Sequence, residues 1–225
     1  MIAEELPLYS ARDLSPRYEA FSEDDDEDDE DVYPEVPSNI TVVSASIDET
    51  FFLKKPKLHL DFIGTGLLPK LMLYEAETME LLLRNPHPNI IKYHGCVIKR
   101  GRIVGLVLDR LPMTLQHRLE KESKQFDVEN CMRKMKSAIC HLHLLGRAHN
   151  DLTPMNIMID EHDDPVIIDY GSCQPFGKAL TIAGTPGWIE EDFTVSAQEH
   201  DQIALEKIQR WIQKLTGTTQ DVKTG

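Results

Sequence analysis

The sequence predicts an α+β protein with two lobes: a small antiparallel-sheet lobe with one helix, then a mainly helical lobe. Two observations support this prediction. Up to residue 110, short β-branched runs surround a single helical stretch. Beyond it, two long amphipathic stretches enclose only short strands. The predicted boundaries are a disordered acidic tail at 1–38, the small lobe at 39–110 and the large lobe at 111–225.

The predicted tail is distinguished by its charge. Residues 1–38 hold 14 acidic residues against only Arg12 and Arg17, and Glu23 to Asp31 is an unbroken run of nine acids. Such a run repels itself and buries no apolar surface, so we expect a disordered, solubilising tail, with a docking site for a basic partner as the alternative. The remaining 24 acids and 22 bases give no clustered basic face, so we expect no nucleic-acid partner.

The cysteines and the apolar runs indicate the compartment. The four cysteines form no CxxC pair and have no His at zinc-finger spacing, so we expect buried thiols in a reducing environment. No apolar run approaches the roughly 20 residues that cross a bilayer, and the N-terminus lacks a signal-peptide pattern. The predicted location is therefore intracellular, cytoplasmic or nuclear, without a membrane partner.

The small lobe is predicted to contain four strands and one helix. Residues 40–44 and 50–54 are β-branched or aromatic and predict two strands. Residues 71–84 place apolar side chains on one face and predict the helix. Residues 90–97 and 103–108 predict two more strands, joined by a hairpin turn.

The large lobe is predicted to begin and end with helices. Residues 126–145 carry apolar side chains at steps of three and four, which predicts an amphipathic helix. Short strands are predicted at 157–159 and 166–168, with a polar turn between them. Residues 197–215 predict the last helix.

One segment carries the candidate chemistry. His149 is followed by Asp151 two positions on and by Asn156 five positions further, and Asp169 and Gly171 follow an apolar run. This pattern places a carboxylate and an amide on one short loop and a second carboxylate at the end of a neighbouring strand. Carboxylate and amide oxygens are ligands that Mg²⁺ accepts, and Mg²⁺ usually bridges to substrate phosphates. The other carboxylate can take a proton from a hydroxyl nucleophile.

The spacing of these residues resembles the catalytic loop and metal-binding segment of protein kinases. The resemblance covers roughly residues 40–216 and implies the kinase-like two-lobed fold. It implies that Asp151 is the catalytic base, and that Asn156 and Asp169 bind Mg²⁺. It also implies that His149 is a packed support residue and that Asp201 braces the loop.

The resemblance further implies an ion pair that holds the phosphates of ATP. Protein kinases use a strand lysine paired with a glutamate on the small-lobe helix. Lys54 is the candidate lysine and Glu77 its candidate partner. Lys55 and Glu75 remain alternatives, because a slip of one residue turns a strand side chain to the other face.

Other segments match the family in the same order. Residues 86–93 resemble the link after the small-lobe helix, and residues 184–188 resemble the end of an activation segment. The alignment places Leu108 at the gatekeeper position. The backbone of Asp109 and Leu111 would then contact adenine.

The sequence also departs from the family pattern. No Gly-rich loop precedes the candidate lysine, and Phe52 replaces the small residue that lies against adenine. Asn150 replaces an arginine that pairs with a phosphate on the activation segment, so we expect no such switch. Thr153 replaces a phosphate-contacting lysine, and residues 190–192 replace the Ala-Pro-Glu anchor. The large lobe is expected to be truncated after the last helix, with a homodimer or partner protein as a hypothesis for its cover.

The leading functional hypothesis is an ATP- and Mg²⁺-dependent Ser/Thr protein kinase, with ATP and a protein substrate as partners. The first alternative is a pseudokinase, an interaction or scaffolding module that keeps the fold. The second is a small-molecule kinase of the aminoglycoside or choline type, or a small atypical kinase of tRNA-modification complexes.

Overall fold

A computed structural model describes residues 31–44, 47–56, 64–121, 125–181, 184–189 and 193–217. Residues 1–30 of the predicted acidic tail and the segment at 190–192 lie outside these residues, so their predictions stay predictions. The described end of the tail is not disordered, because Glu35 forms an antiparallel bridge with Arg102 and the N–H of Ile103 donates to the carbonyl of Pro34 at 2.9 Å. Within the described part of the chain, no helix is long and apolar enough to cross a membrane.

The small lobe is a three-stranded antiparallel sheet with one helix. Its elements are β1 (Phe51–Lys54), α1 (Leu67–Arg84), β2 (Tyr93–Lys99) and β3 (Arg102–Asp109). The strand order is β1-β3-β2, and Lys54 pairs with Leu106 across β1 and β3. The helix begins four residues before the predicted start. Pro69 lies in its first turn, where a proline is tolerated.

In its described residues, the large lobe combines three helices with two small sheets. Its elements are β4 (Met113–Thr114), α2 (Leu115–Lys121), α3 (Val128–Leu144), β5 (Arg147–Ala148), β6 (Ile157–Ile159), β7 (Pro165–Ile167), a 3₁₀ turn (Tyr170–Ser172), β8 (Gln174–Pro175) and α4 (Gln198–Thr216). The sheets have the orders β4-β6-β7 and β5-β8, with antiparallel pairs. The predicted α+β, two-lobed architecture is confirmed.

A single apolar core joins the two lobes. It contains residues of α1, such as Met79, together with Met135 and Leu142 of α3 and Ile208 and Ile212 of α4. The side chain of Asp127 caps α3 by accepting a hydrogen bond from the third backbone amide of the helix at 2.9 Å. Helices α3 and α4 therefore share the core beneath the segment that connects them.

The exposed side of α4 is polar. Its exposed residues in the described chain are Gln198, Glu199, Gln202, Glu206, Arg210, Lys214, Leu215 and Thr216. Only one of these, Leu215, has an apolar side chain. The expectation that a homodimer or partner protein covers this flank stays a prediction.

The first predicted strand does not form a full strand. Residues 40–44 instead make a parallel bridge between Val42 and Cys96 on β2. The N–H of Cys96 donates to the carbonyl of Thr41 at 2.7 Å, and the N–H of Val43 donates to the carbonyl of Cys96 at 2.9 Å. We call residues 40–43 the edge segment, because they cover the outer edge of β2.

Candidate active site

One buried carboxylate fixes the loop that contains His149 and Asp151. Asp201 lies in the first turn of α4 and has no exposed surface. Its Oδ2 atom accepts a hydrogen bond from the N–H of His149, and its Oδ1 atom accepts one from the N–H of Asn150, both at 2.9 Å. The ring of His143 on α3 also donates to Oδ2 at 2.8 Å. Asp201 therefore braces the loop, as the resemblance implies.

Asp151 and Asn156 contact each other across the loop. Nδ2 of Asn156 donates to the backbone carbonyl of Asp151 at 2.8 Å and to its Oδ2 atom at 3.1 Å. The Oδ1 atom of Asp151 accepts a hydrogen bond from the N–H of Thr185 at 2.7 Å. A carboxylate and an amide are thus held side by side.

Two hydrogen bonds hold the backbone next to Asp169 close to the loop of Asp151 and Asn156. The N–H of Ile168 donates to the carbonyl of Asn156 at 3.0 Å. Nε2 of His149 donates to the carbonyl of Ile168, also at 3.0 Å. Because Ile168 directly precedes Asp169, the structure gathers all three residues that the sequence predicted for catalysis. His149 acts as a buried support, in agreement with its predicted role.

Lys54 joins the small lobe to Asp169 in the large lobe. Its Nζ atom forms an ion pair with Oε1 of Glu75 and another with Oδ1 of Asp169, the latter at 2.8 Å. Lys55 is exposed, so Lys54 is the lysine that faces the site. The partner of Lys54 is Glu75, so the prediction of Glu77 as its first partner was wrong.

Glu77 is exposed and does not pair with Lys54. A helix has about 3.6 residues per turn, so a residue two positions from Glu75 lies on nearly the opposite side of α1. The alternative partner, Glu75, is the one that the structure brings to Lys54. The separation along the sequence was too coarse to decide between two glutamates so close together.

The charges around Lys54 hold it in its ammonium form. Burial alone lowers the pKa of Lys54, since a charged group loses its water. The carboxylates of Glu75 and Asp169, through their charges and hydrogen bonds, outweigh burial and raise this pKa above its ordinary value. Lys54 is therefore a fixed positive charge at the edge of the loop.

The cleft beside Lys54 contains large apolar side chains. Phe52 pairs with Leu108 in the register of β1 and β3. Because alternate residues of a strand share a face, both side chains lie on the same face as Lys54. Asp109 and Leu111 follow, and the side chain of Asp109 contacts Nε2 of His94 at 2.6 Å. The predicted adenine contacts therefore lie next to a pair of bulky residues.

The segment at 184–189 passes directly over Asp151. A Cβ atom on Gly184 would lie 3.1 Å from Oδ1 of Asp151, so glycine permits this close approach. The rings of Trp188 and Trp211 pack edge to face, with centroids 6.2 Å apart, and attach the segment to α4. The bond from the Thr185 amide was not predicted, because any residue except proline can donate it.

Asn150 ties the loop to three other parts of the large lobe. Its Nδ2 atom donates to the carbonyls of Ala148 and Ser172 at 2.9 and 3.0 Å, and to Oγ of Ser196 at 3.0 Å. Its Oδ1 atom lies 3.0 Å from Nδ1 of His200. The sequence identified Asn150 as a substitution, but these long-range contacts have no signature in sequence.

A separate cavity of about 330 Å³ lies on the other face of the small sheet. Phe51, His94 and Val107 are among its lining residues. Phe51 and Val107 are each one register position away from residues that face the cleft. This cavity is therefore distinct from the space beside Lys54.

Comparison with known proteins agrees with this geometry. The family model for the protein kinase domain matches residues 43–204. The chain is 28% identical over 156 residues to the serine/threonine-protein kinase/endoribonuclease IRE1 of Hypocrea jecorina, covering 59% of this chain and 12% of that protein. It is 32% identical over 132 residues to human ribosomal protein S6 kinase alpha-3, covering 56% of this chain and 18% of that protein.

The fold is also similar to a solved kinase structure. The structure of the yeast RNA Pol II CTD kinase CTDK-1 complex matches with a TM-score of 0.57 at 16% identity, covering 65% of this chain and 51% of that chain. At this identity the similarity shows the fold alone. The aligned region is less than a fifth of each of the two sequence relatives. The match of the family model to more than half of the chain shows that it belongs to the protein kinase domain family.

Proposed function

We propose that this chain is an ATP- and Mg²⁺-dependent protein kinase of the Ser/Thr type, which transfers the γ-phosphate to a protein hydroxyl. The observation that supports this most directly is the position of Lys54, whose ammonium contacts both Glu75 and Asp169. This arrangement unites a phosphate-binding cation with a metal-binding carboxylate. The serine/threonine kinases among the relatives support the same substrate class.

The residues of the loop fit a shared magnesium site. Nδ2 of Asn156 is committed to Asp151, so its Oδ1 atom is the one available to a cation. Asp169 supplies the carboxylate oxygens. The described residues contain no group of three or more His, Cys, Asp or Glu side chains that could hold a metal, so phosphate oxygens would have to complete the coordination of the cation. Mg²⁺ would neutralise the charge of those phosphates when bound.

Asp151 would position the hydroxyl that is phosphorylated. Each of its carboxylate oxygens accepts one hydrogen bond, from the Thr185 amide and from Asn156. Carboxylate oxygens have further acceptor capacity, so either can also accept the hydroxyl proton. Lys54 would hold the phosphates, and the backbone of Asp109 and Leu111 would contact adenine.

A pseudokinase is the second candidate function. Phe52 lies opposite Leu108 on the face of the sheet that looks into the cleft. A bulky side chain there reduces the room for adenine, and no Gly-rich loop precedes β1 to cover the phosphates. A chain with this cleft can keep the fold while binding nucleotide poorly.

Two measurements separate these functions. Thermal denaturation with and without ATP and Mg²⁺ reports binding, because a ligand of the folded state raises the melting temperature. Transfer of labelled γ-phosphate to a mixed protein substrate reports catalysis. The proposed kinase loses transfer in Asp151→Asn and Asp169→Ala, whereas Glu206→Gln on the exposed side of α4 is unaffected. Transfer that survives Asp169→Ala would refute the metal assignment, and nucleotide binding without transfer would favour the pseudokinase.

A further inference from the structure

The edge segment lies between β2 and α1. Its residue Ile40 is buried in the core, and Thr41 and Val43 exchange backbone hydrogen bonds with Cys96 on β2. Gly95 makes this approach possible. A Cβ atom on Gly95 would lie 2.9 Å from the carbonyl oxygen of Thr41, and its φ of 131° disfavours other residues.

Thr41 also binds a buried carboxylate on α1. Glu80 is only 3% exposed. Its Oε1 atom accepts a hydrogen bond from the N–H of Thr41 at 2.7 Å, and its Oε2 atom accepts one from the Thr41 hydroxyl at 3.1 Å. Arg84, one turn further on, lies 3.7 Å from Oε2. A buried carboxylate is costly without such donors, so the edge segment stabilises Glu80 in this position.

Helix α1 packs its apolar face into the core, and two side-chain contacts also attach it to the small lobe. Glu75 pairs with Lys54 on β1, and Glu80 pairs with Thr41 beyond β2. These attachments lie on opposite edges of the sheet, since the strand order is β1-β3-β2. Loss of the attachment at Glu80 would make rotation of α1 easier, because apolar packing is non-directional. Such a movement would separate Glu75 from Lys54.

We infer that Glu80 and Thr41 are positioning residues, which hold α1 so that Glu75 meets Lys54. The edge segment thus acts as an internal brace for the ion pair. The consequence for ATP binding rests on the proposed function, but the effect on the ion pair does not. The inference can therefore be tested without nucleotide.

The test measures how fast Lys54 reacts with an amine-acylating reagent. A lysine in an ion pair remains protonated and reacts slowly, because only the neutral amine is nucleophilic. Lys134, which pairs with Asp164 in the large lobe, serves as an internal reference in the same sample. Peptide mass spectrometry gives the ratio of the two labelling rates. This ratio cancels differences in reagent concentration, and an unchanged labelling rate at Lys134 shows that global unfolding does not contribute.

Glu80→Met removes both acceptors while keeping a side chain of similar length. We expect the Lys54-to-Lys134 ratio to rise about fourfold, because each of the two hydrogen bonds that Glu80 accepts contributes about twofold. Glu80→Gln, which keeps one acceptor for the Thr41 amide, should restore most of the protection. Glu77→Gln, on the exposed side of the same helix, should leave the ratio unchanged. An unchanged ratio in folded Glu80→Met protein would overturn the inference.

Thr41→Val decides the matter if Glu80→Met does not fold. This variant keeps the β-branched shape and the backbone donor but loses the hydroxyl, so a rise of about twofold is expected. No rise in folded Thr41→Val protein would then contradict the brace. Titration with ATP and Mg²⁺ completes the test. Weaker nucleotide binding together with faster labelling supports both proposals. Faster labelling in variants of a protein that binds no nucleotide even when unaltered contradicts only the proposed function.

Discussion

The Nζ atom of Lys54 lies 2.8 Å from Oδ1 of Asp169, although 115 positions separate the two residues in the sequence. The contact joins the small sheet to the turn that follows β7. It places a strand of one lobe and a loop of the other around one candidate nucleotide site. The candidate site therefore depends on both lobes.

Glu75, and not Glu77, should control nucleotide affinity. Glu75→Gln removes a charged partner of Lys54 and leaves the ammonium to Asp169 alone. We expect the dissociation constant for ATP with Mg²⁺ to rise about tenfold, as expected for the loss of one charge-assisted hydrogen bond. Isothermal titration calorimetry of Glu75→Gln and Glu77→Gln would measure it. Equal effects in the two variants would contradict the pairing seen here.

Asp201 should be essential for stability. Asp201→Ala leaves the buried amides of His149 and Asn150 without their acceptor, at a cost of about 3 kcal/mol in the free energy of unfolding. Urea denaturation followed by circular dichroism measures this quantity. Glu206→Ala, on the exposed side of the same helix, is the control and should change it by less than about 0.5 kcal/mol. If the two variants were equally stable, the hydrogen bonds to Asp201 would contribute nothing to stability.

The sequence predicted the loop residues because their proximity is largely local. Asp151 and Asn156 share one short loop, and an apolar strand leads to Asp169, so spacing alone brings them close. The partner of Lys54 was harder to predict, since it depends on how α1 rotates against the sheet. That rotation is fixed by packing and by the contact between Glu80 and Thr41, neither of which has a sequence signal.

The errors in secondary structure have similar causes. The helix at Leu115–Lys121 was not predicted, because seven residues are too few to show a helical period. Residues 40–44 have the composition of a strand, but they form only a single bridge to β2. β-branched residues report a fit to a half-buried surface, and the edge segment provides this without a full ladder.

Replacing Tyr170 with phenylalanine should stabilise the protein. The Tyr170 hydroxyl is buried and has no hydrogen-bond partner among the described residues. Burial also raises the pKa of Tyr170 well above its ordinary value, so the neutral hydroxyl is the buried form. We expect Tyr170→Phe to raise the free energy of unfolding by about 1 kcal/mol, as measured by urea denaturation. A loss of stability instead would mean that the hydroxyl is satisfied by buried water.

Acid should weaken the fold through His200. The ring of His200 stacks on Phe193 at 3.6 Å, and its Nδ1 atom contacts Asn150. Burial lowers the pKa of His200, and this effect outweighs the nearby carboxylates of Asp201 and Glu199, which raise it. The unfolded chain therefore binds a proton near the ordinary value of 6.5 while the folded chain does not. The contribution of His200 to stability is complete above that pH and is lost as the pH falls below it.

The measurement is the urea midpoint between about pH 7 and pH 5 in the unaltered chain and in His200→Gln. The variant loses the stacked ring, so its stability is lower at every pH and only the slope is compared. We expect a smaller fall with acid in His200→Gln. Part of the fall should persist, because burial and the neighbouring His141 also lower the pKa of His87. Identical slopes in the two proteins would show that His200 takes up its proton equally well in the folded state.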